Sequence, residues 1–189
     1  MPTNQSGDEL VSFLSQQDAQ RVPRRSHRLP QASYAATDCE YFFTLCARHR
    51  GSPFTDEAVA RGILNALFWR RQRHQWQLFC YCLMPDHLHF VIRVPEVIGR
   101  TTNGGARGLL VEGALEHVRD FKKYTTSQVW QLHGGAGSLW QKSSYDRVIR
   151  YNDSIEVTMH YVLENPVRKG LVTQWEDYPY SGIVDDWRP

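Results

Sequence analysis

The sequence lacks several features that would assign a protein quickly to a class. It has no run of about twenty apolar residues and therefore no predicted membrane span. Its polar N-terminal region contains no secretory segment. None of its four cysteines forms a C-x-x-C pair, which argues against a structural zinc site and favours reduced thiols in a cytosolic protein. A net charge of +2 is too small to indicate a nucleic-acid partner by itself.

The length and composition are those of one folded domain. A chain of 189 residues that is 41% hydrophobic can bury a substantial core. Residues 1–35 are rich in polar residues, Arg and Pro, so we expect a flexible basic arm there, followed by a single domain over 36–189. Each cluster of basic residues, taken singly, is typical of a solvated face. Two of these clusters are Arg24 with Arg25, and Arg119 with Lys122 and Lys123.

The apolar periodicity of the domain predicts a regular order of elements: strand, helix, strand, strand, helix, strand and helix. The corresponding segments are 41–45, 55–73, 76–84, 87–94, 109–131, 145–150 and a last helix that starts at Asp153 and is limited by Pro166. Thr55 and Asp153 are the expected N-terminal caps of two of these helices. The order predicts an α+β fold, a ferredoxin-like split β-α-β sandwich with an antiparallel sheet, helices and an additional C-terminal helix.

The tripeptide His87-Leu88-His89 lies within a predicted strand. Side chains alternate across a strand, so both imidazoles point to one face, while alternate residues from Leu88 to Val94 form an apolar row on the other. Two such histidines can chelate one divalent ion. An H-x-H pair is equally compatible with two ordinary polar residues on a half-exposed strand, so the pattern alone leaves both interpretations open.

The predicted C-terminal helix carries a tyrosine away from its apolar side. Ile155, Met159 and Val162 form the apolar stripe of this helix. Tyr161 lies off that stripe, and Asn165, four residues later, is expected on the same face as Tyr161 at a distance of about 6 Å. A partly buried aromatic residue and a helix-ending asparagine would produce the same pattern.

Several motifs, taken in order, resemble those of a known family. The histidine segment is similar to the histidine-hydrophobe-histidine block of the single-tyrosine HUH transposases, and the tyrosine segment is similar to that family's tyrosine helix and the NPV-x-x-G run after it. Two further stretches resemble the REP-associated tyrosine transposase branch. The segments are YCLMPDHLHFVIRV (81–94), MHYVLENPVRKGLV (159–172), LWQ with YDRVIR (139–150) and DYPYS (177–181).

The resemblance implies a role for each matching residue. Tyr161 would be the nucleophile, and His87, His89 and Asn165 would be the metal ligands. A tyrosine hydroxyl, with an ordinary pKa of about 10, needs an electrophilic phosphate to attack. Two imidazoles and an amide oxygen are a mixed set that suits Mg²⁺ or Mn²⁺. The expected product is a 5′-phosphotyrosine with a free 3′-hydroxyl.

The resemblance also implies the partner, which is single-stranded or hairpin DNA, with a short palindromic repeat as the target. Arg24, Arg25, Arg119, Lys122 and Lys123 are the candidates for contacts with the DNA backbone. No membrane or nucleotide cofactor is expected, and the protein is expected to be a monomer or a homodimer, with the monomer favoured. The chain departs from the family pattern at Ser143 and Ser144 and in its long 134–137 loop.

Three alternatives remain open from the sequence. The chain could be a domesticated protein that binds DNA hairpins and cleaves them little or not at all. It could be a small-molecule metalloenzyme that uses the histidine pair, although no further His or Glu ligand set is evident. If it is a transposase, Tyr145 and Tyr151 are rival nucleophiles, and neither has a metal-ligand partner at helical spacing.

Overall fold

The structure is a computed structural model that describes residues 39–48, 51–95, 98–100, 109–111, 113–149 and 154–187. For 98–100 and 109–111 only the backbone is described. The predicted arm over 1–35, including Arg24 and Arg25, lies outside the described residues, as does Tyr151.

Seven strands and four α-helices make up the described part of the chain. The strands are β1 (Glu40–Cys46), β2 (Gln77–Met84), β3 (His87–Arg93), β4 (Ile98–Arg100), β5 (Leu109–Val111), β6 (Tyr145–Ile149) and β7 (Ser181–Ile183). The helices are α1 (Glu57–His74), α2 (Ala114–His133), α3 (Ile155–Leu163) and the single-turn α4 (Asn165–Arg168). Short 3-10 turns occur at Pro53–Thr55 and Trp175–Asp177.

The main sheet confirms the predicted α+β split sandwich. Five strands lie in the order β6-β1-β3-β2-β7, and every pairing between neighbours is antiparallel. The units β1-α1-β2 and β3-α2-β6 interleave, which is the split β-α-β arrangement. β4 and β5 form a separate two-stranded sheet. No helix in the described part of the chain has the length and apolar character needed to cross a membrane.

The alternation of β3 separates two cores. Leu88, Phe90 and Ile92 are fully buried among side chains of α1 and α2 on one face of the sheet. Val91 belongs to a second core on the opposite face, where His89 is also buried. The apolar row therefore marks the face under the two long helices, as the sequence predicts.

The second face is covered by α3. Met159, Val162 and Leu163 of this helix are buried against a group of strand residues that includes Phe42 and Met84. The apolar stripe of α3 therefore packs on the sheet, and a residue beside that stripe, such as Tyr161, lies at the border between helix and strands. This packing brings α3 over the strand that carries the histidines.

Two helix starts differ from the sequence prediction. The segment 109–131 is not one helix, because 109–111 pairs with 98–100 as a hairpin and α2 begins at Ala114 after the extended Gly113. Thr55 does not cap α1: its hydroxyl donates to Ser52 O within a 3-10 turn, and the Asp56 carboxylate accepts from Val59 N instead.

The C-terminal region differs as well. Ser154 caps α3 through a hydrogen bond from Val157 N, one residue later than the predicted cap Asp153. β6 is not the last strand in the chain. After α3 and α4 the chain forms β7, which pairs with the free edge of β2. Asp185, just beyond β7, accepts from Leu78 N and forms an ion pair with Arg71, which fixes the tail against the sheet and α1.

Candidate metal and tyrosine site

His87 and His89 lie side by side at the beginning of β3, on the face that α3 covers. His89 faces Thr44 on β1 and Cys82 on β2 in the strand register, so it sits in the interior of the sheet. The residue is 5% exposed, whereas the side chain of His87, at the first position of β3, is 15% exposed. The two Nε2 atoms are 3.0 Å apart.

The other ring nitrogen of each histidine has its own partner. His87 Nδ1 donates to Asp86 Oδ1 at 2.6 Å, and because a carboxylate only accepts, this nitrogen carries the proton. His89 Nδ1 lies 2.8 Å from Thr44 Oγ1. The two Nε2 atoms face each other, so either a proton on one of them or a cation between them can bridge the pair.

This geometry fits a divalent ion. Two nitrogens that each lie about 2.1 Å from an ion and subtend a right angle there are about 3.0 Å apart. The observed Nε2 separation is 3.0 Å. Among the residues described, no group of three or more His, Cys, Asp and Glu side chains is arranged to hold a metal, so a third ligand from this part of the chain is of another type.

Asn165 supplies such a group. Its Nδ2 donates to Tyr161 O at 2.9 Å and to Val162 O at 3.2 Å, which orients the amide with Nδ2 towards the helix. The side chain also forms a hydrogen bond with His89. Because Nδ2 is committed to the helix, Oδ1 is the atom presented to His89, and it is available as an oxygen ligand.

The environment keeps His89 neutral. Burial lowers its pKa well below the ordinary value, the nearby His87 and Arg168 lower it further, and the hydrogen bond with Asn165 opposes the shift. Neutral imidazole is the form that binds a metal.

Tyr161 lies beside the histidine pair. Its ring centroid is 6.0 Å from that of His89, and the ring of Phe42, also 6.0 Å away, meets it edge-on at 83°. The residue is half-buried, between the apolar stripe of α3 and the solvent. The structure thus brings together all four residues of the predicted site, namely His87, His89, Tyr161 and Asn165.

Arg168 completes the surroundings of Tyr161, and sequence reasoning missed it. Its Cζ lies 4.5 Å from the centroid of the Tyr161 ring, and its Nη2 donates to Tyr161 O at 2.6 Å. Thr44 and Asp86, the partners of the histidines, were missed as well. A signal existed for two of these three, because Arg168 follows Tyr161 by seven residues at helical spacing and Asp86 directly precedes His87.

Tyr145 and the cysteines share this face of the sheet. Tyr145 pairs with Thr44 in the register, and its ring also contacts Phe42, at 6.0 Å and 67°. Cys80 and Cys82 are fully buried, and burial raises the pKa of both thiols, to about 12 for Cys82. They are therefore protonated packing residues at neutral pH.

A basic groove of about 800 Å³ runs along α2 and the loop that follows it. Arg119, Lys123 and Lys142 line it as exposed cations, together with hydroxyl and amide side chains and with Glu116, which accepts a hydrogen bond from Arg119. Lys122 also lines the groove, but its ammonium donates to the carbonyls of residues 141–143, with the shortest bond, 2.6 Å, to Gln141 O. Lys122 therefore holds the loop in place.

Hydrogen bonds connect the groove to the histidines. Gln141, the partner of Lys122, donates through its amide Nε2 to Ala47 O. Ala47 N in turn donates to Asp86 O, and the side chain of Asp86 holds His87. The groove and the histidine pair thus lie at the same end of the sheet, although α2 and α3 cover opposite faces.

Comparison with known proteins gives sequence relatives and a related fold, while no family model matches the sequence. The chain is 22% identical over 148 residues to a Haemophilus influenzae protein and 23% identical over 146 residues to an Escherichia coli K12 protein, both named as REP-associated tyrosine transposases. The alignments cover 77% of this chain and 80% and 77% of the two relatives.

A solved structure of a REP-associated tyrosine transposase bound to a REP hairpin has the same fold. It superimposes with a TM-score of 0.61 at 21% identity, over 83% of this chain and 81% of the other. The resemblance predicted from the motifs is confirmed: in sequence and in fold the chain is similar to the REP-associated tyrosine transposases.

Proposed function

We propose that the protein cleaves and rejoins single-stranded or hairpin DNA through a covalent intermediate on Tyr161. The observation that carries the proposal is the convergence of Tyr161, His87, His89 and Asn165 at one point of the sheet, from β3 and from two consecutive helices much later in the sequence. Tyr161 packs against Phe42, and in addition its ring lies beside His89, whose Nε2 faces that of His87.

His87 Nε2, His89 Nε2 and Asn165 Oδ1 would hold a Mg²⁺ or Mn²⁺ ion. When bound, such an ion polarises a phosphate oxygen and offsets the charge on the departing oxygen. Asp86 and Thr44 orient the imidazoles through their Nδ1 atoms, so that both rings offer Nε2. Asn165 joins the ligand set to α3 through its two hydrogen bonds to the helix carbonyls.

The reaction uses Tyr161 as the nucleophile. Its hydroxyl oxygen forms a bond to phosphorus while the bond from phosphorus to the 3′-oxygen breaks, which leaves a 5′-phosphotyrosine and a free 3′-hydroxyl. The new ester conserves the energy of the original linkage, so attack by another 3′-hydroxyl rejoins strands without ATP. The ring contacts of Tyr161 with Phe42 and His89 limit the positions that the hydroxyl can occupy.

A REP-like palindromic hairpin is the proposed substrate, because the two named relatives are REP-associated and the related structure contains a REP hairpin. Arg119, Lys123 and Lys142 are the proposed contacts with the DNA backbone, since they line a groove at the same end of the sheet as the histidines. Lys122 supports this groove from within. The contact of Tyr161 with His89 inside one chain supports action in cis by a monomer.

The test is formation of a covalent adduct. End-labelled hairpin DNA with a single-stranded flank is incubated with the protein and Mn²⁺, and the products are separated on a denaturing gel. We expect a protein-linked band that Tyr161→Phe removes and that Tyr145→Phe, the matched change on the same face of the sheet, retains. Loss of the band in Tyr145→Phe alone would transfer the nucleophile to that residue.

The wild-type protein and Tyr161→Phe also distinguish the two other functions. A hairpin that binds tightly without any adduct would favour a domesticated DNA-binding protein. Metal-dependent turnover of a small molecule that persists in Tyr161→Phe would favour a metalloenzyme.

A further inference from the structure

We propose that Arg168 contacts the attacked phosphodiester and binds its negative charge beside Tyr161. The proposal rests on the proposed function of the site. It adds a substrate-binding residue to which neither the histidine motif nor the tyrosine motif gives a role.

The position of Arg168 is the first argument. The guanidinium lies over the Tyr161 ring, with Cζ 4.5 Å from the centroid, and the ring centroid of His89 lies 6.0 Å from that of Tyr161. Nη2 donates to Tyr161 O, which anchors the guanidinium to the helix that carries the nucleophile. The residue is exposed, so an incoming DNA strand can reach it.

The charge of the site is the second argument. None of the three candidate ligands, His87, His89 and Asn165, is an acidic side chain, and the carboxylate of Asp86 is engaged with a ring nitrogen of His87. A phosphodiester carries one negative charge, and a second develops on phosphorus oxygens during attack. A guanidinium has five N–H donors in a planar fork that matches phosphate, and the bond to Tyr161 O uses one of them.

A purely structural role is the competing explanation. An arginine near a helix C-terminus stabilises terminal carbonyls, and a cation over an aromatic ring holds that ring in place. Both effects predict a loss of activity on substitution that is independent of the charge on the phosphate. The charge on the phosphate therefore separates the two explanations.

The step itself leaves the charge of the phosphate unchanged. The bond between the Tyr161 oxygen and phosphorus forms, the bond from phosphorus to the 3′-oxygen breaks, the phenol proton passes to solvent and the departing oxygen gains a proton. Substrate and product are both diesters with one negative charge. Arg168 can therefore serve the forward and reverse reactions equally.

The experiment first uses the wild-type chain to map the cleaved linkage in a hairpin oligonucleotide. A second oligonucleotide then carries an uncharged methylphosphonate at that linkage. Dissociation constants for both are measured in a Tyr161→Phe background, where no cleavage occurs, with Arg168 intact or changed to Gln. The matched control is Lys169→Gln, which removes a neighbouring exposed charge.

With Arg168 intact, we expect the charged hairpin to bind about tenfold more tightly than the methylphosphonate hairpin, and Arg168→Gln to abolish this preference. Lys169→Gln should keep the preference. With Tyr161 restored, Arg168→Gln should slow adduct formation about 100-fold, and Arg168→Lys should recover part of the rate because it restores the charge.

Equal loss of affinity for the charged and uncharged hairpins in Arg168→Gln, or no loss for either, would overturn the role of Arg168 while leaving the proposed function intact. Failure of the wild-type chain to cut or to form an adduct would overturn both.

Discussion

Replacing Thr44 by Val removes one hydrogen-bonding group and retains the shape of the side chain. In the structure Thr44 Oγ1 lies 2.8 Å from Nδ1 of His89, which is buried within the sheet. A partner of this type orients a metal-binding imidazole, and its loss lowers metal affinity about 10- to 100-fold. That factor corresponds to about 1.4–2.7 kcal/mol of binding free energy. We expect the Mn²⁺ affinity of Thr44→Val to fall within this range.

The same change also affects folding, because a buried ring nitrogen is left without its hydrogen-bond partner at a cost of about 1–3 kcal/mol. A matched control separates the two effects. Thr125 is a buried threonine of α2, on the opposite face of the sheet, and it accepts a hydrogen bond from Trp140 Nε1 at 2.8 Å. Thr125→Val should lower the free energy of unfolding similarly and leave Mn²⁺ affinity within about twofold of wild type, since distant sites act independently.

Isothermal titration calorimetry with Mn²⁺ and urea unfolding of the metal-free protein give the two quantities. If Thr44→Val binds Mn²⁺ as tightly as wild type while remaining folded, then Thr44 does not orient a metal ligand. The inference that the two Nε2 atoms face a common ion would lose its main support.

Three further changes test other parts of the account. His87→Ala should abolish adduct formation and leave hairpin affinity nearly unchanged, and loss of the folded circular dichroism spectrum would instead make His87 a structural residue. Lys142→Gln should reduce the slope of log affinity against log salt by about 0.9, whereas Arg61→Gln, exposed on α1 outside the groove, should not. Asp185→Asn should lower the free energy of unfolding by about 2 kcal/mol at pH 7. Its partner Arg71 lowers the pKa of Asp185, so the contribution of this carboxylate is present above a pH of about 4 and is lost as the pH falls through the lowered pKa. Urea unfolding should therefore show equal free energies of unfolding for wild type and Asp185→Asn well below that pKa.

The histidine pair could be predicted from the sequence because alternation along a strand is a local property. Leu88 to Val94 mark the buried face, so His87 and His89 must share the other one. The split sandwich followed from the order of elements, which local periodicity also determines. The position of Tyr161 beside the apolar stripe of its helix could be predicted from helical spacing, which is also a local property.

The partners of the site could not be predicted in the same way. Thr44 meets His89 through the register of β1 with β3, and local pattern does not determine which residues of two strands face each other. The orientation of the Asn165 amide depends on the break between α3 and α4, where its hydrogens meet the last carbonyls of α3.

Short strands were the main errors of the fold prediction. The apolar residues at 109–111 continue into the pattern of α2, so a hairpin and a helix produced one apparent helical segment. β7 has three residues and gains its stability from pairing with β2, about a hundred positions earlier.

The central claim is that two imidazoles and one amide oxygen meet at a divalent ion next to the Tyr161 ring. The most direct measurement is an anomalous difference map from crystals soaked in Mn²⁺. The account predicts one strong peak within about 2.3 Å of His87 Nε2, His89 Nε2 and Asn165 Oδ1. A well-ordered site without this peak, at a Mn²⁺ concentration that supports adduct formation in solution, would contradict it.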